Sequence, residues 1–148
     1  LQRDDSHPPT VRIDPIDDDD LDDAGEQVVQ AFAARTRLAA LGSGAELVGE
    51  RVTLATALRL QRDIEPSKDT GVAITESRVE LAEGTKHVVE TTEDALEVIA
   101  SLDGRRLGEV VDDVAARLGL GSGDATRLQR EAVALIRELL ELGALELH

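Results

Sequence analysis

A chain of 148 residues with 31 Asp/Glu against 16 Lys/Arg has a formal charge of −15 at neutral pH, which repels phosphate backbones and counts directly against nucleic-acid binding. It holds no Cys and a single aromatic residue, Phe32, which excludes disulfide frameworks and thiolate metal sites and makes any core aliphatic. A hydrophobic fraction of 41% suffices for one ordinary domain, or a small domain with an extension, and favours Leu-striped helices over an aromatic-rich β sandwich.

No apolar run approaches the roughly 18 residues of a membrane span, and no secretory apolar region opens the chain. The expectation is a cytoplasmic protein without a membrane partner. The chain contains no Met, so it is expected to have lost its initiator or to be a piece of something longer.

Between Leu1 and Glu26 there are ten Asp/Glu and two Arg, and Pro8, Pro9 and Pro15 are three of the four prolines. Self-repulsion and too little apolar surface predict a disordered acidic arm over residues 1–22. Asp17 to Asp20 lack the alternating ligands, bend glycine and distal Glu of a calcium loop, so no metal is expected there.

An Ala-rich helix is predicted from Ala24 to Leu41, with Asp22 and Asp23 as N-terminal caps and Gly42-Ser43-Gly44 as its exit. Its larger apolar residues, Val28, Phe32, Ala39 and Leu41, are loosely spaced, and the sequence leaves open what it packs on. From Glu46 to Arg62 the pattern is ambiguous: Val52, Leu54, Thr56, Leu58 and Leu60 alternate as in a strand, while Val52, Ala55 and Leu58 also fit a helix. The strand reading is preferred after Glu50. Pro66 and "EPSKDTG" read as a loop or linker. Beyond it, alternation at Val72/Ile74 and Val79/Leu81, with β-prone Val88, predicts an antiparallel hairpin or three-stranded meander, with turns at Glu76-Ser77 and Glu83-Gly84.

Three helices follow. Thr91-Thr92-Glu93-Asp94 announces the first, with Leu96, Ile99 and Leu102 inside and Gly104 at its end. The second presents Leu107, Val110, Val111, Val114 and Leu118, with Glu109, Asp112 and Asp113 on the opposite, solvated face. The third, capped by Ser122 or Asp124, carries Leu128, Ala132, Leu135, Ile136, Leu139 and Leu142. Gly143 closes it, and "ALEL" returns as a short strand or tail.

The expected fold class is therefore α+β and mostly helical: winged-helix-like, with a small antiparallel β element before three helices, plus an N-terminal helix and an acidic arm. Three segments are expected: the arm at 1–22, the helix and ambiguous stretch at 23–65, and a winged-helix domain at 70–148.

The stretch "VELAEGTKHVVETTEDALEVIASLDGRRLGEVVDDVAARLG" followed by "REAVALIRELLELGALEL" resembles the PqqD-like family, the recognition domains of ribosomal-peptide modification systems. The resemblance spans about residues 70–147. It rests on the Thr-rich strand-to-helix junction, the helix ending in Leu102-Asp103-Gly104, the Leu107-x-Glu109-Val110-Val111 start, and a third helix ending in Leu-x-x-Leu-Gly-x-Leu. Winged-helix modules appended to methyltransferases and other enzymes share this grammar.

The resemblance implies that a leader peptide adds as an extra strand at the sheet edge and lies against the third helix, with the backbone supplying affinity and side-chain pockets supplying selectivity. Carried over, the edge comprises His87, Val88, Val89 and Glu90, and the facing helix positions are Arg127, Arg130, Ala134 and Arg137. These arginines are placed to pair with peptide carboxylates. Equally, they fit i,i+4 pairs with Glu131, Glu138 and Glu141 on a solvated face.

No catalytic constellation is visible. His7, His87 and His148 lack metal-ligand spacing or a nucleophile companion. "GLGSG" from Gly119 lacks the Lys-Ser/Thr ending of a phosphate loop and reads as a helix–helix turn. No cofactor or metal is expected. The first reading is a non-enzymatic domain that binds a leader or precursor peptide and presents it to a modifying enzyme. The second is a regulatory or assembly module of a larger enzyme such as a methyltransferase; the third is a winged-helix DNA binder, disfavoured by charge.

Overall fold

The computed structural model describes residues 21–69, 71–84 and 86–148, and of residues 21–24 only the backbone. The expectations for the arm through residue 20, for Asp17 to Asp20 and for His7 lie outside the described residues.

Helix α1 (Leu21–Leu41) begins three residues before the expected Ala24, so Asp22 and Asp23 lie inside its first turn rather than capping it. Acidic residues suit that turn because the helix dipole is positive there. Gly42, at φ +68°, takes the left-handed turn that ends the helix. The packed stripe is Gln27, Ala31, Ala34 and Leu38. Val28, Val29 and Phe32 face outward, and Phe32 is 63% exposed.

This stripe lies on a later helix, α5 (Ser122–Glu141), and on the strand after it. The small alanines allow a close approach, and Gly143 makes it closer still. A Cβ at Gly143 would sit 2.2 Å from the carbonyl oxygen of Gln27. The buried Gln27 Nε2 donates to the Leu142 carbonyl at 2.9 Å, satisfying an acceptor at the α5 C-terminus.

The ambiguous stretch becomes a one-turn helix α2 (Gly44–Leu47) and two strands, β1 (Val52–Leu54) and β2 (Leu58–Glu65). The alternation from Val52 to Leu60 therefore belongs to strands, but to two different ones. β1 pairs antiparallel with the C-terminal strand β5 (Leu145–Leu147), Val52 opposite Leu147 and Leu54 opposite Leu145. β2 belongs to a separate antiparallel sheet with β3 (Ala73–Leu81) and β4 (Val88–Thr91), in the order β2-β3-β4. The polar run after Glu65 is the turn of the β2–β3 hairpin, so the expected boundary between 65 and 70 falls between two paired strands.

One expected turn is overturned. β3 runs unbroken through Glu76 and Ser77. No Gly, Pro, Asn or Asp interrupts it, and alternation accounts for its polar residues: Ser77 is buried opposite Arg62 and Thr91, while Glu76 is exposed. The register shifts between Asp63 and Ile64, leaving Thr75 as the extra residue of a bulge. The Glu83-Gly84 turn does join β3 to β4, with Gly84 at φ +73°.

The three helices are α3 (Glu93–Ala100), α4 (Leu107–Leu118) and α5. α3 ends earlier than expected: Ser101, whose hydroxyl donates to the Glu97 carbonyl at 2.7 Å, is its C-cap, so Leu102 lies outside the helix and Gly104 four residues past its end. Thr92 caps α3, its hydroxyl accepting from the Ala95 N–H at 3.3 Å. α4 has no side-chain cap; the preceding chain does that work. The Leu107 and Gly108 N–H groups donate to the carbonyls of Glu50 and Val48, each at 2.9 Å. At α5 neither Ser122 nor Asp124 caps: the N-cap is Gly121, and Asp124 lies in the first turn. The reason is upstream. Gly119, at φ +67°, and the Leu120 N–H bonded to the Ala115 carbonyl at 3.0 Å close α4 so tightly that α5 begins at once.

The core gathers Leu96, Val98 and Ile99 of α3, Leu107, Val110 and Val114 of α4, and Leu128, Ile136 and Leu139 of α5, all essentially inaccessible. Val79, Leu81 and Val89 close it from the sheet, and Leu145 with Val52 from the small sheet. The fold is α+β and mostly helical, with an antiparallel β element ahead of three helices.

Candidate functional site

β4 is built from β-branched residues that alternate across the sheet. Val89 is buried against the core, whereas Val88 and Glu90 point to solvent. On one side its residues pair with β3, Val79 opposite Val89 and Arg78 opposite Glu90. The Leu81 N–H extends the ladder to the His87 carbonyl at 3.0 Å. On its other side β4 has no strand among the described residues, so it is an edge of the three-stranded sheet. At Thr92 the chain turns into α3, and α5 packs alongside this corner.

The four helix positions lie on α5. At 100° per residue, Arg127, Arg130, Ala134 and Arg137 fall within an arc of about 80°, opposite the Leu128/Ile136/Leu139 stripe. Arg127, Arg130 and Ala134 are exposed and Arg137 is half-buried. Their charges are used differently. Arg127 pairs with Asp124 at 3.3 Å and Glu131 at 3.8 Å, as a plain solvated helix face would. Glu131 also accepts from the Thr92 hydroxyl at 2.8 Å, tying α5 to the β4–α3 corner. Arg130 and Arg137 make no ion pair among the described residues, and the buried Nε of Arg137 has no hydrogen-bond partner. The expected pairs to Glu138 and Glu141 do not form.

The structure thus brings the edge strand and the arginine-bearing helix together through the Glu131–Thr92 contact, with Arg127 nearest that corner. Arg130 and Arg137 lie about 100° or more round the helix from Glu131 and make no ion pair among the described residues. The chemistry available is backbone hydrogen bonding by a strand edge and ion pairing by guanidinium groups. On the solvent face of the same sheet two pairs are closed: Arg59 pairs with Glu80 at 3.3 Å, and Arg78 pairs with Asp63. On the other face Arg62 binds Glu97 of α3, which also receives Arg117 of α4.

Of the histidines, His148 Nε2 lies 2.7 Å from the Thr53 hydroxyl, linking the end of β5 to β1, and His87 is half-buried immediately before β4. Among the described residues no three His, Cys, Asp or Glu side chains are placed to hold a metal ion. No described helix is long and apolar enough to cross a membrane.

A concavity escaped the sequence reading. A cavity of about 440 Å³ lies between residues 74–77 of β3 and residues 90–93 at the β4–α3 corner. Reading Glu76-Ser77 as a turn hid it; the absence of any Gly, Pro, Asn or Asp between Val72 and Leu81 was the available signal. Comparison of the chain with protein-family models and with curated proteins returned no match.

Proposed function

We propose that this chain is a non-catalytic peptide-recognition domain of the PqqD-like, winged-helix kind, which binds a leader or precursor peptide and presents it to a modifying enzyme in the cytoplasm. The observation that carries the reading is the edge of β4, which has no strand partner on its outer side among the described residues, with α5 and its ion-pair-free Arg130 and Arg137 packed alongside the sheet. A peptide adding antiparallel to β4 completes its outward edge, and its acidic side chains are drawn to the guanidinium groups that α5 exposes. The surplus of 31 acidic over 16 basic residues fits this better than duplex DNA.

Fluorescence anisotropy with a labelled precursor peptide encoded beside the gene tests the reading. Saturable binding is expected, abolished by proline in the strand-forming segment and weakened about tenfold by R130E/R137E. No binding to any such peptide overturns it.

A second reading, an assembly module of a larger enzyme such as a methyltransferase, draws on the exposed Val28, Val29 and Phe32 of α1. Loss of the enzyme complex in F32D, with precursor-peptide binding absent throughout, favours this alternative.

A further inference from the structure

We propose that the notch where β4 stops short of β3 is a separate strand-addition site that accepts an extended cationic peptide segment of another protein, in which Lys or Arg alternate with aliphatic residues. β3 has nine residues and β4 four. β4 pairs with residues 77–80, so residues 73–76 of β3 have a strand partner only on the β2 side. Thr91 and Thr92 then carry the chain away into α3, and the vacated line of β4 is the cavity of about 440 Å³. That volume lies within the roughly 300–1,000 Å³ of ligand clefts. Open strand backbone beside such a space is what a bound extended peptide completes.

The two faces of the notch differ, and this sets the sequence pattern of the occupant. On the solvent face stand Glu76 and Glu90, with Glu93 at the start of α3. None of the three has an ion pair or hydrogen bond through its carboxylate among the described residues. The neighbouring Glu80 and Asp63 of the same sheet are each neutralised by an arginine. Negative charge is thus left over at the notch, and Glu65 of β2, opposite Ala73 and likewise without an ion pair among the described residues, adds to it. The carboxylates do not converge on a metal position.

On the opposite face the bulge at Thr75 keeps Ile74 across from Ile64, in the same alternating row as Leu58 and Leu60. Yet Ile64 is 61% exposed and Ile74 37% exposed, because α3 does not reach that far. An added strand projects side chains alternately to the two faces, so a period-two cationic/aliphatic segment meets carboxylates on one and isoleucines on the other. The net charge of −15 steers such a segment inward. The β4 edge with its arginines selects the opposite charge, so the two sites fail independently.

The test is an NMR titration of the ¹⁵N-labelled full chain with an acetylated, amidated Lys-Val-Lys-Val-Lys-Val hexapeptide. Controls are the Glu-for-Lys peptide, one with a central proline, and Lys-Lys-Lys-Val-Val-Val with the same charge and the wrong period. Saturable shifts confined to the amides of residues 73–76 and 90–93, absent with all three controls, are expected. E76Q/E93Q, both exposed, should weaken binding about fivefold or more, while E109Q/D112N on α4 changes it by less than about twofold. Equal loss from both double variants, shifts spread over the acidic surface, equal binding of the wrong-period peptide, or no shift at millimolar peptide each overturns the proposal.

Discussion

The α3–α5 block and the tip of the β2–β3 hairpin are built from the same kinds of residue and meet opposite fates. In the block, Leu96, Val110, Val114, Leu128 and Ile136 are essentially inaccessible. At the hairpin tip, Ile64, Val72 and Ile74 are exposed. Both regions have the correct periodicity for their secondary structure. What separates them is the presence of a second layer: each helix stripe finds two other helices, whereas the sheet runs past the end of α3 and past the end of β4. Apolar periodicity therefore specifies a face, and only the neighbouring element makes that face a core.

The sharpest way to break this contrast is to truncate one isoleucine in each region. I136A should lose about 2–5 kcal/mol, through transfer and cavity terms, in urea denaturation followed by circular dichroism. I74A should stay within about 0.5 kcal/mol of the parent. Equal losses would mean that the tip is part of the core.

The seam between α1 and the block comes next. G143A forces a side chain into the left-handed region at φ +74° and against the Gln27 carbonyl, so a cost of at least about 1–3 kcal/mol is expected. Limited proteolysis should then cut first at α1. Cleavage elsewhere would show that α1 is not held by this contact.

At the junction of sheet and block, T92A removes both the cap on Ala95 and the bond to Glu131, for about 1 kcal/mol, and T92S should recover most of it. Chemical denaturation of the three proteins checks this.

The smallest effect sits at the α3–α4 turn. The Arg105 guanidinium donates to Asp103 at 2.7 Å and to Asp113 at 2.6 Å, and the Arg105 N–H donates to Asp103 at 3.1 Å. These bonds, that from the Arg105 side chain foremost, hold the Asp103 carboxyl below its ordinary value of 3.8. A lowered folded-state pKa gives stability that is fully present above the ordinary value and is lost as the pH falls through the folded one. The melting difference between parent and D103N should therefore be small near neutrality and vanish in acid below that range. A difference that grows in acid would reverse the assignment.

Much of the block was legible. Thr92 as a cap, Gly119 and Gly143 as stops, and the stripes of α4 (Leu118, 40% exposed, aside) and α5 follow from local rules about hydroxyl caps, positive φ and a 3.6-residue period. Gly104, read as the stop of α3, lies four residues past its end. The cap of α5 was misread because the tight close of α4 left no room for a capping side chain. The candidate edge at Val88 to Glu90 was visible as β-prone sequence. That Arg127 is neutralised while Arg130 and Arg137 are not was invisible, since it depends on rotamers and on the Glu131–Thr92 contact across the corner.

The sequence by itself determined the helix periods, the glycine ends of α1, α4 and α5, the acidic composition and the absence of thiol chemistry, because each is a property of neighbouring residues or of composition. Only the tertiary structure decided that β1 would close on β5 while β2 joined β3, and that the preceding chain would cap α4. It alone decided that β4 would end four residues short of β3. Those outcomes join residues far apart in the chain, where burial and backbone hydrogen bonds are settled between elements and no local pattern records them.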